Sequence, residues 1–172
     1  MKLKQIVAPA GACLLIAGAA PALPATAADW AVWKGQDEAA PRAIYTTGAE
    51  TAGAVLTCDG KGLMSAMLSM EPASMPDLLQ RNAPYARGTD ANVTVGDHEP
   101  VQARFQYVPA RKMLTTTSHA VAGRVFNAAV TGEPVTVETR HEGTAHADLP
   151  APNDSFRAFA KTCMALREAS RS

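Results

Sequence analysis

Basic residues never gather into a stripe in this chain, and that shortage bears first on its partners. Sixteen Lys+Arg face sixteen Asp+Glu across 172 residues, with both signs interspersed. No surface of this composition tracks a phosphate backbone, which excludes nucleic acid. No basic amphipathic segment suits a membrane surface either. Cysteine is equally scarce, at three residues, and no C-x-x-C redox pair occurs. The glycines form no G-x-x-x-x-G-K-[ST] phosphate cradle, and no G-x-S-x-G elbow presents a serine nucleophile. Adjacent carboxylates such as Asp37-Glu38 lie on a polar stretch and read as solvated. Motif spacing therefore assigns no catalytic residue, no metal ligand and no cofactor.

What is present begins with an export signal. Lys2 and Lys4 form a short basic start, Ile6–Ala20 carries no charge, and Cys13-Leu14-Leu15-Ile16-Ala17 is its apolar centre. Ala25-Thr26-Ala27 supplies the small-x-small pattern that signal peptidase requires. A membrane span needs about 20 predominantly apolar residues, and Pro9, Pro21 and Pro24 interrupt this stretch. A lipidated Cys13 would leave almost no apolar region before the cut. Residues 1–27 are thus expected to be a cleaved signal and 28–172 a single β-rich domain in the periplasm or outside the cell, with no membrane anchor. Loss of Lys2 and Lys4 leaves 14 Lys+Arg against 16 Asp+Glu, a small formal excess of acid.

Two cysteines survive cleavage, Cys58 and Cys163. An even count in an oxidising compartment favours a disulfide. Pairing would also consume the sulfurs that could otherwise serve as nucleophile or redox couple.

The dominant hydrophobic period is two. Ala54–Cys58 and Leu63–Met70 flank Asp59-Gly60-Lys61-Gly62, a hairpin signature. Val101, Ala103, Phe105 and Tyr107 alternate with polar residues, and Pro109-Ala110-Arg111 turns that strand into Lys112–Thr117. Val135 and Val137 open a third hairpin, which Glu142-Gly143 returns through Thr144–Leu149. Shorter strands are expected at Trp30–Lys34, Arg42–Thr46 and Asn92–Val95. Three hairpins with little room for crossovers predict a mainly antiparallel sheet, sandwich-like or partly closed into a barrel, in an α+β fold. One helix is expected from His119 to Val130, between Ser118 and Gly132. A short one is expected at Pro76–Arg81, inside the proline-punctuated stretch Glu71–Thr89. The clearest helix follows Asn153 or Asp154, with Phe156, Phe159, Ala160, Cys163 and Leu166 on one stripe. That stripe buries Cys163, from where it can staple the helix to the strand bearing Cys58.

The run Ala54-Val-Leu-Thr-Cys58, then Val125-Phe-Asn-Ala-Ala-Val-Thr-Gly132 leading into Val135-Thr-Val137, and Phe156-x-x-Phe159-x-x-x-Cys163 resembles small proteobacterial periplasmic proteins. These are the VasI-like type VI secretion accessories and the invasion-associated locus B-like proteins. The resemblance implies an envelope accessory factor with a β-rich fold and a structural cysteine pair, and it carries no functional residue.

Three groups remain as candidates for chemistry. His141-Glu142-Gly143-Thr144-Ala145-His146 comes near the zinc-protease motif, but H-E-x-x-H needs its histidines at i and i+4 on a helix. Here the spacing is five and the context a hairpin turn, and Asp97-His98-Glu99 reads as a second polar turn. Met64, Met67, Met70 and Met75 are thioethers of the kind that suit Cu(I), yet on a strand Met64 and Met67 face opposite sides. Trp30 and Trp33 fit the core better than a ligand groove. Two functions follow as expectations. One is a non-catalytic envelope protein that binds a protein partner. The other is a small hydrolase or a ligand or metal carrier, its site built from His98, His141, His146 and nearby acids.

Overall fold

The computed structural model describes residues 28–48, 53–70 and 85–172. The expected signal segment with Cys13, the expected helix at Pro76–Arg81, and Met75 lie outside the described residues. Among the described residues nine strands form one antiparallel sheet: β1 (Asp29–Val32), β2 (Ala43–Thr47), β3 (Ala54–Cys58), β4 (Met64–Ser69), β5 (Arg87–Val95), β6 (Val101–Val108), β7 (Met113–Thr116), β8 (Val135–Thr139) and β9 (Thr144–Ala147). Their order is β1-β2-β3-β4-β7-β6-β5-β8-β9. The sheet curls into a half-barrel, bringing β9 back towards β4 across the interior. Two α-helices accompany them among the described residues, α1 (His119–Thr131) between β7 and β8 and α2 (Asp154–Ala169) after β9. The α+β expectation therefore holds, with the C-terminal helix packed on the sheet. No helix among the described residues is long and apolar enough to cross a membrane.

Register assigns every strand residue to a face. Ile44 opposes Leu56, Leu56 opposes Ala66, Leu68 opposes Leu114, and Val93 lies between Val101 and Val137. These residues line the concave inner face, and the two helices cover it: α1 lies on β4 and β5, α2 on β1 and β2. Phe126 of α1 stacks on Phe156 of α2 at 4.8 Å, and Trp30 packs against Phe156 at 5.3 Å. Phe156, Phe159 and Cys163 are the buried stripe of α2, while Leu166 packs at its margin.

The cysteines are joined, with their Cα atoms 6.0 Å apart across a sequence separation of 105. The bond ties the end of β3 to α2, and the β3–β4 turn is shaped to let the helix in. Asp59 Oδ1 accepts hydrogen bonds from the Lys61 and Leu63 amides at 2.8 and 2.9 Å. These bonds hold the Asp59 carboxyl below the usual carboxylate range. Gly62 has φ +72°, and any Cβ there would run into the Cys163 carbonyl and the Arg167 backbone. Glycine supplies both the conformation and the clearance.

Helix boundaries sharpen the sequence expectations. Asn153, not Asp154, caps α2: its Oδ1 accepts from the Phe156 amide at 3.0 Å. Ser118 precedes α1, but its side chain makes no capping bond. Strand β5 starts at Arg87, five residues before its expected beginning at Asn92. Of its extra inward positions, Arg87 and Thr89 are polar and Ala91 is small, which broke the apolar alternation.

Candidate functional site

Two polar corners and one broad face carry the chemistry of the fold. The first corner is the β8–β9 turn. The Thr139 hydroxyl donates to the Gly143 carbonyl at 2.7 Å and accepts from the Glu142 amide at 3.0 Å. This folds the Glu142 side chain inward, where it is only 5% exposed. Its carboxylate accepts from the Thr89 hydroxyl at 2.8 Å and pairs with Arg87 Nε at 3.2 Å. The Arg87 guanidinium lies 5.4 Å from the centre of the Tyr107 ring. The Thr89 hydrogen bond, helped by the Arg87 charge, holds the Glu142 carboxyl below its ordinary range against the opposing effect of burial. Glu142 is thus a fixed anion that locks a turn, while Arg140 and His141 remain exposed beside it.

The second corner joins the β5–β6 turn to the end of α1. Gly96, at φ +52°, leaves room for the Glu133 carboxylate, which would stand 2.7 Å from a Cβ at that position. Glu133 accepts from the Thr131 hydroxyl at 2.6 Å and meets His98 Nε2 at 3.3 Å. Val95, Glu99, Arg124 and Asn127 complete a cavity of about 520 Å³ around this pair. The cavity offers a guanidinium, an amide, an imidazole and carboxylates, a mixture suited to hydrogen bonding with small polar groups.

The histidines singled out in the sequence do not meet. His98 lies in the turn after Val95, and Val95 opposes Val135 at the start of β8. His141 lies beyond the other end of β8, and the five extended residues Val135–Thr139 separate the two corners by about 15 Å. His146 is on β9, where its Nδ1 is 3.2 Å from the Thr136 hydroxyl. Among the described residues no group of three or more His, Cys, Asp or Glu side chains is arranged to hold a metal ion. Met64 and Met70 pack against the inner core, whereas Met67 lies on the outer face with Tyr45 and Val55. Trp30 is buried in the core, its indole donating to the Pro150 carbonyl at 2.8 Å, and Trp33 packs edge-on to Tyr45. Asp37 and Glu38 are exposed, as expected.

The outer face of β6-β5-β8-β9 is a different kind of surface. Gln102, Asn92, Glu138 and Thr144 form one cross-strand row. Thr94, Thr136 and His146 form a second. Arg104 and Asp90 oppose each other in a third, 3.4 Å apart and both well exposed. A shallow depression of about 390 Å³ between Asp90, Asn92, Gln102, Glu138 and Arg140 marks its centre. No described helix lies over these rows. The sequence contained the signal for this face: Asp90, Asn92 and Thr94 alternate with the small or branched Thr89, Ala91, Val93 and Val95. Only its 87–91 part was missed, because the inward Arg87 and Thr89 are polar and Ala91 is small. No family model, no curated protein and no solved structure matches the chain.

Proposed function

We propose that this is an exported periplasmic protein that acts without catalysis, as an accessory factor binding a protein partner of the cell envelope. The observation that supports the reading is the bare polar outer face of β6-β5-β8-β9. A sheet whose inner face takes both helices needs no second face for stability. A flat array of amides, hydroxyls and opposite charges suits the polar portion of a protein–protein interface. The export signal at 1–27 and the disulfide accord with an oxidising compartment.

The test is co-purification of the mature protein from the periplasm, paired with a charge-reversed outer face. Asn92→Arg with Glu138→Lys is expected to abolish capture of a specific partner while leaving thermal stability unchanged. Capture that is indifferent to this pair would place the interface elsewhere. N-terminal sequencing of the periplasmic material is expected to read from Ala28, and an intact Met1 would sink the export argument.

The polar cavity at His98 and Glu133 favours a second reading, a ligand carrier. Metabolite retention that depends on Arg124 and His98, with no dependence on the outer face, would decide for it.

A further inference from the structure

The two edges of the sheet are finished differently. Antiparallel neighbours alternate between pairs that exchange backbone hydrogen bonds and pairs that do not. On β1 the bond from the Trp33 amide to the Ala43 carbonyl sets this phase, so the N–H and C=O of Trp30 point away from β2. Both groups are occupied. The Trp30 amide donates to its neighbour Asp29 Oδ1 at 2.8 Å, and the Trp30 carbonyl accepts from Asn153 Nδ2 at 2.7 Å. Asn153 Nδ2 also reaches Asp29 Oδ1, so the α2 cap residue plugs this edge at Trp30.

On β9 the bond from the Thr139 amide to the Gly143 carbonyl sets the phase. Val137–Ala145 and Val135–Ala147 are then the bonded pairs, and the N–H and C=O of Thr144 and His146 point away from β8. Neither residue's backbone has a hydrogen-bond partner beyond β9 among the described residues, and both residues are exposed. No proline, lysine or bulge guards this edge, although unpaired edges are a ready template for another strand.

We propose that the free edge of β9 is a strand-addition site, taking one extended segment of the partner protein. This rests on the protein-binding reading above and names how the partner attaches. The chemistry of the occupant follows from the two faces of β9. Ala145 and Ala147 are buried on the inner side, so the incoming strand places small or branched apolar residues there. Thr144 and His146 line the outer side, so its alternate residues are polar and continue the exposed rows. The occupant is a single strand and not a second copy of the sheet. β9 is only four residues long and offers outward backbone groups at two of them, Thr144 and His146, which one short strand satisfies.

The probe is a synthetic peptide copying residues 134–140, whose alternation already matches β9 from the other side. Amide hydrogen exchange is followed in the mature, disulfide-bonded protein. Without peptide, the Thr144 and His146 amides are expected to exchange fast and those of Ala145 and Ala147 slowly. Millimolar peptide is expected to slow Thr144 and His146 at least about tenfold. His146→Pro removes an N–H that the β8–β9 ladder does not use, so the fold persists and the slowing is lost. Thr144→Pro repeats the test should the first variant fail to fold.

Protection of both amides in the peptide-free protein would overturn the proposal, since the edge would already be covered by the chain itself. Exchange unchanged by peptide would overturn it equally. A periplasmic partner retained by both proline variants removes the edge as its seat yet leaves the protein-binding reading standing. Failure of wild type to capture any partner strikes that reading, and the exchange result still decides the edge.

Discussion

On β2 and β3 the outward positions carry Tyr45 and Val55, and at the same depth on β5 and β8 they carry Asn92 and Glu138. All four strands also bury their inward positions, Arg87 at the start of β5 excepted. The first half of the sheet is therefore buried on both faces: Val55 is 0% exposed, and Val108 and Met113 join it in a second apolar cluster. The second half is buried on one face only. Sequence texture follows this difference. Ala43-Ile44-Tyr45 and Ala54-Val55-Leu56 are unbroken apolar runs of the kind found in strands buried on both faces. Arg87–Val95 and Val135–Thr139 alternate. The half that is saturated with contacts serves stability, and the half with a spare face is where recognition can act without unfolding the protein.

The disulfide ties β3 to α2, both of them packed in the first half, so its loss tests whether the second half melts with the first. Cys58→Ser with Cys163→Ser is expected to cost about 4–5 kcal/mol in the chain-entropy view of a loop this long, read as one cooperative denaturant transition shifted downward. Two separate transitions would mean that the halves are independent. Next comes Phe159→Ala, which empties a fully buried aromatic site under α2 and should cost about 3–5 kcal/mol. Arg157→Ala, on the wet side of the same helix, should cost little. Equal small effects would mean that α2 is not docked.

The comparison between outer faces is sharpened by placing the same residue on each. Val55→Thr buries a hydroxyl at constant shape and should cost about 1–3 kcal/mol. Asn92→Thr should stay within about 0.5 kcal/mol of wild type. Similar losses from both would erase the distinction between the halves.

Acid titration isolates the Glu142 turn. The folded pKa of Glu142 lies below its unfolded value of about 4.5. Its pairing therefore adds stability above that unfolded value, and the contribution fades as pH falls through the lowered one. Glu142→Gln should have a flatter loss of melting temperature between about pH 5 and 3 than wild type, leaving the like-signed effect of Asp59 in place. An unchanged acid limb would show that the carboxylate is not locked. The smallest effect is expected from His141→Ala with His146→Ala, since both residues are exposed: melting temperature should barely move. Loss of a stoichiometric metal from that double variant would reveal a site that these positions do not suggest.

Much of this was legible beforehand because it depends on short-range rules. The Asp59–Gly62 turn, the β8–β9 hairpin, the α2 stripe and the Cys58–Cys163 pairing all follow from local spacing and an even cysteine count. Glu142 was visible only as one polar residue in a turn. Its burial depends on Thr89 and Arg87, more than 50 positions away on a strand whose start was itself misjudged. The distance between His98 and His141 was equally hidden, because both sit in turns that look alike along the chain.

By itself, then, the sequence determined the element types, the hairpins and the buried stripe of the C-terminal helix, because hydrophobic period and turn chemistry act within a few residues. Tertiary structure alone decided the strand order, the plugging of β1 by Asn153 and the open edge at β9. Those depend on which strands end up as neighbours, and pairing between strands is a contest among long-range alternatives. It is settled by the total area buried when the sheet curls around its two helices, a quantity that no local window contains.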